Sequence, residues 1–178
     1  MTLETSRLVF RELSEAHTQE LFEMDNDVEV MRFINGGRPT PWDGFQNRVR
    51  TWTASLYEQD PKRTFWAAHR ALDDVFVGWF HLRLNPRFGN RLELGYRLRR
   101  EHWNQGYATE GSRALLERGF GELGAAEIIA VTLERNTRSR RVMEKLGMEV
   151  EEFFIYPEDL LPFWTEQERR AVLYSRKP

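Results

Sequence analysis

The 178-residue chain contains no cysteine, which removes disulfides, thiolate metal sites and a covalent cysteinyl-acyl intermediate from consideration. No apolar run approaches the ~20 residues needed to cross a bilayer, so no membrane partner is expected. The opening residues set Glu4, Arg7 and Arg11 among apolar neighbours, unlike a signal peptide, and the cytoplasm is the expected compartment. A basic excess is missing too. The formal net charge is −2 and the pI about 6.1, whereas a nucleic-acid binder carries cations to neutralise phosphates. Nucleic acid is therefore not an expected partner, although a local basic pocket for a small anion is compatible with this balance. Repeats and low-complexity tracts are absent. The four histidines, His17, His69, His81 and His102, are too scattered for a metal site, so no metal is expected. A lone histidine on a strand is more often structural, though His69 or His81 could face a cleft.

Hydrophobic residues make up 40% of the chain, with 12 Phe and 6 Trp, enough for a sizeable core. The length suits a single domain over residues 1–178, with a core spanning about 7–176. Leu8, Phe10 and Glu12 alternate with Val9, Arg11 and Leu13, as in a first strand. Ser14 offers an N-cap for a loose helical stripe of Ala16, Leu21, Phe22 and Met24, and a short helix is expected over residues 28–33. Asn35-Gly36-Gly37, with Pro39 and Pro41, breaks the chain. Phe45, Val49, Trp52 and Leu56 then recur at amphipathic helical spacing.

Two aromatic-rich runs, 64–70 and 75–84, flank a short turn and read as a hairpin. Trp66, Trp79 and Phe80 on it are expected in the core, with one of them free to wall a pocket. A third run alternates Leu92, Leu94, Tyr96 and Leu98 with Glu93, Gly95 and Arg97. After residue 100 the pattern becomes helix over 109–123, strand over 128–132 and helix over 137–146. Gly147 serves that last helix as a left-handed cap, and strands follow over 148–156 and 171–175. Ala108, Leu115, Leu116, Phe120 and Leu123 mark the inner face of the first helix, and Val142, Met143 and Leu146 that of the second. This order implies an α+β (mixed α/β) fold whose mostly antiparallel sheet contains a parallel element.

The chemistry concentrates in Trp103-Asn104-Gln105-Gly106-Tyr107-Ala108-Thr109-Glu110, which follows a strand and opens a helix. Unpaired N–H groups and the positive end of the helix dipole make such a start an anion site. Gly106 and Ala108 keep side chains out of the way of a close ligand. The segment resembles motif A of the GNAT superfamily of acyl-CoA N-acyltransferases, Q/R-x-x-G-x-G/A, with Trp103 at the first position, Gly106 at the glycine and Ala108 at the last. Trp103 departs from the pattern in a way common to the branch resembling ribosomal-protein N-terminal acetyltransferases. Residues 136–148, from Asn136 through Ser139 and Lys145 to Gly147-Met148, resemble motif B, N-x-x-S/A-x-x-x-x-x-K-x-G-F. The opening LETSRLVFREL and the final strand extend the resemblance over nearly the whole chain.

The resemblance implies a central sheet with a splayed parallel pair, flanked by helices, and acetyl-CoA as co-substrate. Tyr96, Arg97 and Leu98 would pair by backbone with the pantetheine. Asn104, Gln105, Gly106, Tyr107, Ala108 and Thr109 would hold the pyrophosphate. Asn136 would reach the pantetheine and Ser139 would face the same cleft, with Arg141, and more weakly Arg99, Arg100 or Arg140, meeting the 3′-phosphate. Glu93 is the candidate base, acting through water, although alternation sets it opposite Leu92, Leu94 and Tyr96. Met143 stands where many relatives carry an acidic Tyr, which leaves Ser139 or a water as proton donor; Tyr107 is expected to pack.

The loop at residues 35–41 and the stretch at 156–166, with Trp164, would frame the acceptor entrance. The implied reaction is direct attack of a primary amine on the thioester, without a covalent enzyme intermediate. The amine would be a protein N-terminus or a small molecule such as an amino acid or antibiotic. Neutralising an α-amine of pKa ~8 at pH 7 costs about 1 kcal/mol, against roughly 4–5 for lysine, so a sparsely equipped site favours α-amines. An inactive CoA-binding module is the alternative, suggested by Met143. A homodimer is compatible with the analogy.

Overall fold

A computed structural model describes residues 3–59 and 65–178, with residues 55–59 described by backbone alone. Its strands are β1 (Leu3–Glu4), β2 (Leu8–Glu12), β3 (Phe65–Arg70), β4 (Phe76–Asn85), β5 (Arg91–Leu98), β6 (Ile128–Leu133), β7 (Glu149–Ile155) and β8 (Arg170–Arg176). Its helices are α1 (Thr18–Asp25), α2 (Val28–Met31), α3 (Phe45–Gln59), α4 (Tyr107–Gly121) and α5 (Thr137–Lys145). The strands form one sheet in the order β1-β2-β3-β4-β5-β6-β8-β7. Every neighbouring pair is antiparallel except β5 with β6. The mixed, mostly antiparallel sheet with one parallel pair is the architecture expected from the sequence.

Strand alternation sends side chains to two separate cores. On one face Leu8, Phe10, Phe80, Leu82 and Leu94 pack with Leu115 and Leu116 of α4 and Tyr174 of β8. On the other, Leu13, Phe65, Ala67 and Phe76 pack with Leu21 and Met24 of α1 and with Phe45 and Val49 of α3. Trp66 and Phe80 are buried, while half-buried Trp79 borders the main cavity. The helical stripes hold as read except at Ala16, which is exposed in the 3-10 turn before α1; the side chain of Leu56 lies outside the described residues, as does Thr64.

Several boundaries differ for local reasons. α4 begins at Tyr107 rather than residue 109, because Gly106 takes a left-handed φ of 85° as N-cap and the chain turns helical directly after it. It closes at Gly121, although Leu123 still packs against the core. The Ser14 cap opens a 3-10 turn at Glu15–His17 before α1, with Ser14 and His17 closing a capping box. The helix expected to reach residue 33 ends at Met31. β1, only two residues long, is too short for alternation to reveal. Gly147 has φ 70° and ends α5 as expected.

The pair β5–β6 is the feature that shapes the molecule. Only Leu92↔Ile128 and Glu93↔Ile129 are in register; beyond them β5 continues to Leu98, held by β4, and β6 to Leu133, held by β8. The two strands diverge and open a wedge in the middle of the sheet.

Helix α4 presses onto this sheet at Gly111, where an added Cβ would stand 2.5 Å from Phe80 Cζ. Phe80 is fully buried and has no room to yield. Gly111→Ala should therefore lower stability by about 1–2 kcal/mol, because overpacking costs ~1–3 kcal/mol and exceeds the ~1 kcal/mol gained in helix propensity. Thermal melts of the two proteins would check this; an unchanged or raised Tm would contradict the packing argument.

Candidate active site

Where β5 and β6 part, a cavity of about 690 Å³ opens. Leu94 to Leu98 of β5 form one wall and Ala130 to Leu133 of β6 the other. The phosphate-type turn sits at its end. Asn104 and Gly106 both have positive φ, 60° and 85°, which curls the chain so that α4 starts at the mouth of the wedge. The first helical bond there runs from Glu110 N–H to the Gly106 carbonyl at 3.0 Å. The N–H groups of Tyr107, Ala108 and Thr109 thus precede the helical ladder and carry the positive end of its dipole.

This turn is clamped from the far end of the chain. Arg7 donates to the Gln105 carbonyl at 2.9 Å and to Glu110 Oε2 at 2.6 Å, and its guanidinium lies 4.7 Å over the Tyr107 ring. Glu110 also accepts from Thr5 Oγ1 (2.6 Å), Ser6 Oγ (3.1 Å) and the Arg7 backbone N–H (3.0 Å). Desolvation alone would raise the Glu110 pKa, but the Thr5 and Arg7 hydrogen bonds outweigh it and hold the carboxyl below its ordinary value. Outside the clamp, a second cavity of about 650 Å³ is lined by Arg7, Gly106, Arg113 and Lys145. None of these basic side chains was a sequence-level candidate.

The remaining cofactor candidates separate clearly. Tyr107 is buried, as expected of a packing residue. Trp103, half-buried, donates its indole N–H to the Leu98 carbonyl at 3.0 Å, so that carbonyl is already engaged. Arg97 contributes backbone to the wall, while its side chain pairs with Asp25 at 2.5 Å on the other face. Asn136 caps α5 by accepting from Ser139 N–H at 3.3 Å and borders the cavity beside Ser139. Of the four candidate arginines, Arg141 borders the cavity. Arg99 pairs with Glu23 and Glu101, Arg100 with Asp27, and Arg140 donates to Tyr174 Oη at 3.0 Å.

Tyr96 does more than line the strand. Its hydroxyl lies 3.3 Å from Ser139 Oγ, and desolvation pushes its pKa up to about 12 despite that hydrogen bond. A phenol held protonated beside a serine is a proton-donating pair that sequence reading did not assemble. Met143, at the position where the motif B resemblance implies a Tyr, is buried in the core.

The opposite face of β5 carries three cross-strand rungs with β4: Arg97 beside Trp79, Gly95 beside His81, and Glu93 beside Arg83. Alternation does set Glu93 opposite Leu92, Leu94 and Tyr96. It nevertheless borders the cavity, because the missing neighbour leaves the edge of β5 open to both faces. Glu93 is buried and accepts from Arg83 Nε at 3.1 Å and from Asn85 at 3.2 Å. Desolvation raises its pKa, and Arg83 and Asn85 only partly offset the shift. His69 packs against His17 and Phe76, away from the main cavity, whereas His102 packs against Tyr107 and borders the cavity at the turn.

Ile34, Tyr156, Leu160 and Leu161 border the cavity beside the two loops expected to frame the acceptor entrance. The two framing loops meet there: Arg38 lies 3.3 Å over the Phe163 ring, and a Cβ on Gly36 would stand 3.1 Å from Trp164 Nε1. Among the described residues no cluster of His, Asp or Glu is arranged to hold a metal, and no helix is long and apolar enough to cross a membrane.

Comparison with known proteins converges with this geometry. Residues 7–149 match the acetyltransferase (GNAT) domain model. The FsC-acetyl coenzyme A-N(2)-transacetylase of Aspergillus fumigatus is 36% identical over 161 residues, covering 86% of this chain and 67% of that protein. The crystal structure of a GNAT-family acetyltransferase from Bacillus anthracis superposes with a TM-score of 0.78 at 25% identity, covering 99% of this chain and 98% of that one. The ribosomal L7/L12 α-N-protein acetyltransferase RimL, solved with coenzyme A, shares the fold with a TM-score of 0.79 at 14% identity, covering 99% of this chain and 98% of its own. The chain belongs to the acetyltransferase (GNAT) family and is an acetyl-CoA-dependent N-acetyltransferase.

Proposed function

We propose that the protein transfers the acetyl group of acetyl-CoA to a primary α-amine by direct attack, with no covalent enzyme intermediate. The observation that carries this reading is the wedge itself, with the Tyr96–Ser139 pair on one face of β5 and Glu93 on the other. The wedge and the turn suit the co-substrate. The N–H groups of Tyr107, Ala108 and Thr109 grip the pyrophosphate, the backbone of Tyr96 and Arg97 aligns the pantetheine, and Asn136 meets it from α5. Asn104 and Gln105 shape the turn. Arg141 on one side, or Arg7, Arg113 and Lys145 in the outer cavity, supply cations for the 3′-phosphate.

In the reaction, β5 N–H groups left without a strand partner beyond Glu93 polarise the thioester carbonyl. Glu93 attracts the incoming ammonium and removes its first proton through water. The Ser139 hydroxyl, backed by Tyr96, passes a proton to the departing thiolate as it takes one up from water in the cleft, so the pair stays protonated. The reading of an inactive CoA-binding module finds no support, since Tyr96 and Ser139 take up the role that Met143 lacks. A small-molecule α-amine is favoured over a protein N-terminus by the framing loops, which meet across the acceptor end. The N(2) transacetylase named among the relatives points the same way.

Free-thiol release from acetyl-CoA, followed against amino acids, amino-acid amides, N-terminal peptides and alkylamines at pH 7, tests the assignment. α-Amines should turn over fastest; CoA binding without turnover of any amine would sink it. Ser139→Ala should lower kcat about 10²-fold with little change in the KM for acetyl-CoA.

Glu110→Ala releases the clamp on the turn and should weaken CoA binding about tenfold by calorimetry, equivalent to ~1.4 kcal/mol. Unchanged affinity would mean the turn holds its shape unaided.

Glu93→Gln has two expected consequences. Because the folded carboxyl binds its proton more tightly than the unfolded chain does, stability falls as pH rises through its raised pKa, and ionised Glu93 is a net cost at pH 7. The substitution should not lower Tm there, since half-exposed Arg83 stays solvated. Its kcat/KM defect should be largest at low pH and close as the acceptor amine loses its proton unaided.

A further inference from the structure

An alkylammonium must lose two protons to become an amide: one before its nitrogen attacks, the second once the C–N bond forms. The site described so far accounts for the first. His81 is a titratable group that the first step leaves unused; it stands on the Glu93 face of β5, in the cavity that Glu29, His102 and Tyr156 also border. It borders the cavity and is only 5% exposed, and its Nδ1 has no hydrogen-bond partner among the described residues. The ring is held between Phe65, at 4.6 Å between centroids, and Trp79, at 5.7 Å.

Its position depends on Gly95, the cross-strand partner. A Cβ built on Gly95 would fall 1.9 Å from His81 Nε2, so the imidazole occupies the space that any other residue would fill. Nε2 therefore lies directly over the bare stretch of β5 within the wedge, two residues past the last β5–β6 register pair.

We propose that His81 accepts the second proton of the acceptor nitrogen as the amide forms. The proposal rests on the acetyl-transfer reading of the cleft and adds the residue that completes its proton balance. The nitrogen lone pair forms the C–N bond, the C–S bond breaks with its electrons on sulfur, and the N–H proton passes to His81 Nε2. The tautomer required carries its hydrogen on Nδ1. The thiolate is protonated from the Ser139 side, and His81 returns its proton to solvent as the product leaves.

The surroundings suit this step and not the first. Arg83 from β4 and Arg97 and Glu93 from β5 are the charged groups about the ring; β3 presents Phe65, α1 places Asp25 on Arg97, and α2 brings Glu29 to the cavity. Desolvation, reinforced by Arg83 and Arg97, keeps the imidazole pKa well below its ordinary value. At neutral pH the ring is uncharged, with a lone pair free. It is too weak a base to strip an alkylammonium, but the nitrogen of the acetyl adduct is far more acidic.

Hydroxylamine, a small amine uncharged at neutral pH, tests the proposal without requiring the natural acceptor. With saturating acetyl-CoA, His81→Gln should lower hydroxylamine acetylation about 10²-fold while CoA affinity by calorimetry is kept. The loss should not fade as pH rises, which sets it apart from the Glu93→Gln defect. Gly95→Ala retains the histidine but pushes its ring aside, and should reproduce the loss in a folded protein even where His81→Gln is unstable. A His81→Gln or Gly95→Ala protein that binds CoA and keeps its rate within about threefold of the parent overturns the role of His81 and leaves the acetyl-transfer reading standing. Failure of the parent itself to acetylate hydroxylamine or any other amine overturns both.

Discussion

A sheet gains hydrogen bonds by pairing every strand along its length, and a buried backbone group left unpaired is costly. The parting of β5 and β6 after two register pairs therefore needs a compensating partner, and the wedge is the place where one is demanded. Each diverging strand is secured on its outer side: β5 along its full length by β4, and β6 along its full length by β8. The gap is thus a rigid slot, not a frayed edge. A pantetheine arm, itself an amide-bearing extended chain, offers the N–H and C=O groups that a missing strand would supply. In the proposed binding mode, co-substrate binding and sheet completion are the same event.

The slot would aim nothing without a fixed point at its end. That point is the turn at Asn104 and Gly106, which directs the start of α4 at the wedge. Two left-handed residues in one short turn strain the backbone modestly, most at the non-glycine Asn104. The Arg7–Glu110 network holds this turn, with five hydrogen bonds converging from the Thr5–Arg7 segment onto Gln105 and Glu110. The Thr5–Arg7 segment thereby becomes part of the turn proposed to hold the pyrophosphate. Trp103 adds a second tie by hydrogen bonding the end of β5, which joins turn and strand into one frame.

What was legible in the sequence follows from the range of the interactions. The Gly106 turn and the α5 cap at Asn136 are local, made by residues within a few positions of one another, and both were readable as motifs. Alternation along β5 correctly assigned Glu93 and Tyr96 to opposite faces. It could not reveal that both reach one cavity, because that depends on the absent pairing of β6. Arg7 with Gln105 and Tyr96 with Ser139 are separated by 98 and 43 residues, and no periodicity connects them. His81 looked like an ordinary strand histidine for a related reason. Its significance comes from Gly95 directly across the ladder, and register between strands is not written in either strand alone.

The period of a strand also explains how one short segment could serve both halves of the proposed reaction. Acetyl transfer requires proton acceptance at nitrogen and proton donation at sulfur within a few ångströms, by groups that must not neutralise each other. Consecutive residues on a strand point to opposite faces, so β5 presents Glu93 and Gly95, with His81 above it, on one side and Tyr96 on the other. The strand itself is the partition. Inside a sheet paired on both edges, these faces would be sealed from each other by the neighbouring strand. At the divergence of β5 and β6 the edge is open, and a thioester lying along it, as proposed, would reach donors on one face and acceptors on the other. In the proposed reaction, the same two register pairs that open the slot thus let acid and base act on one molecule from opposite sides.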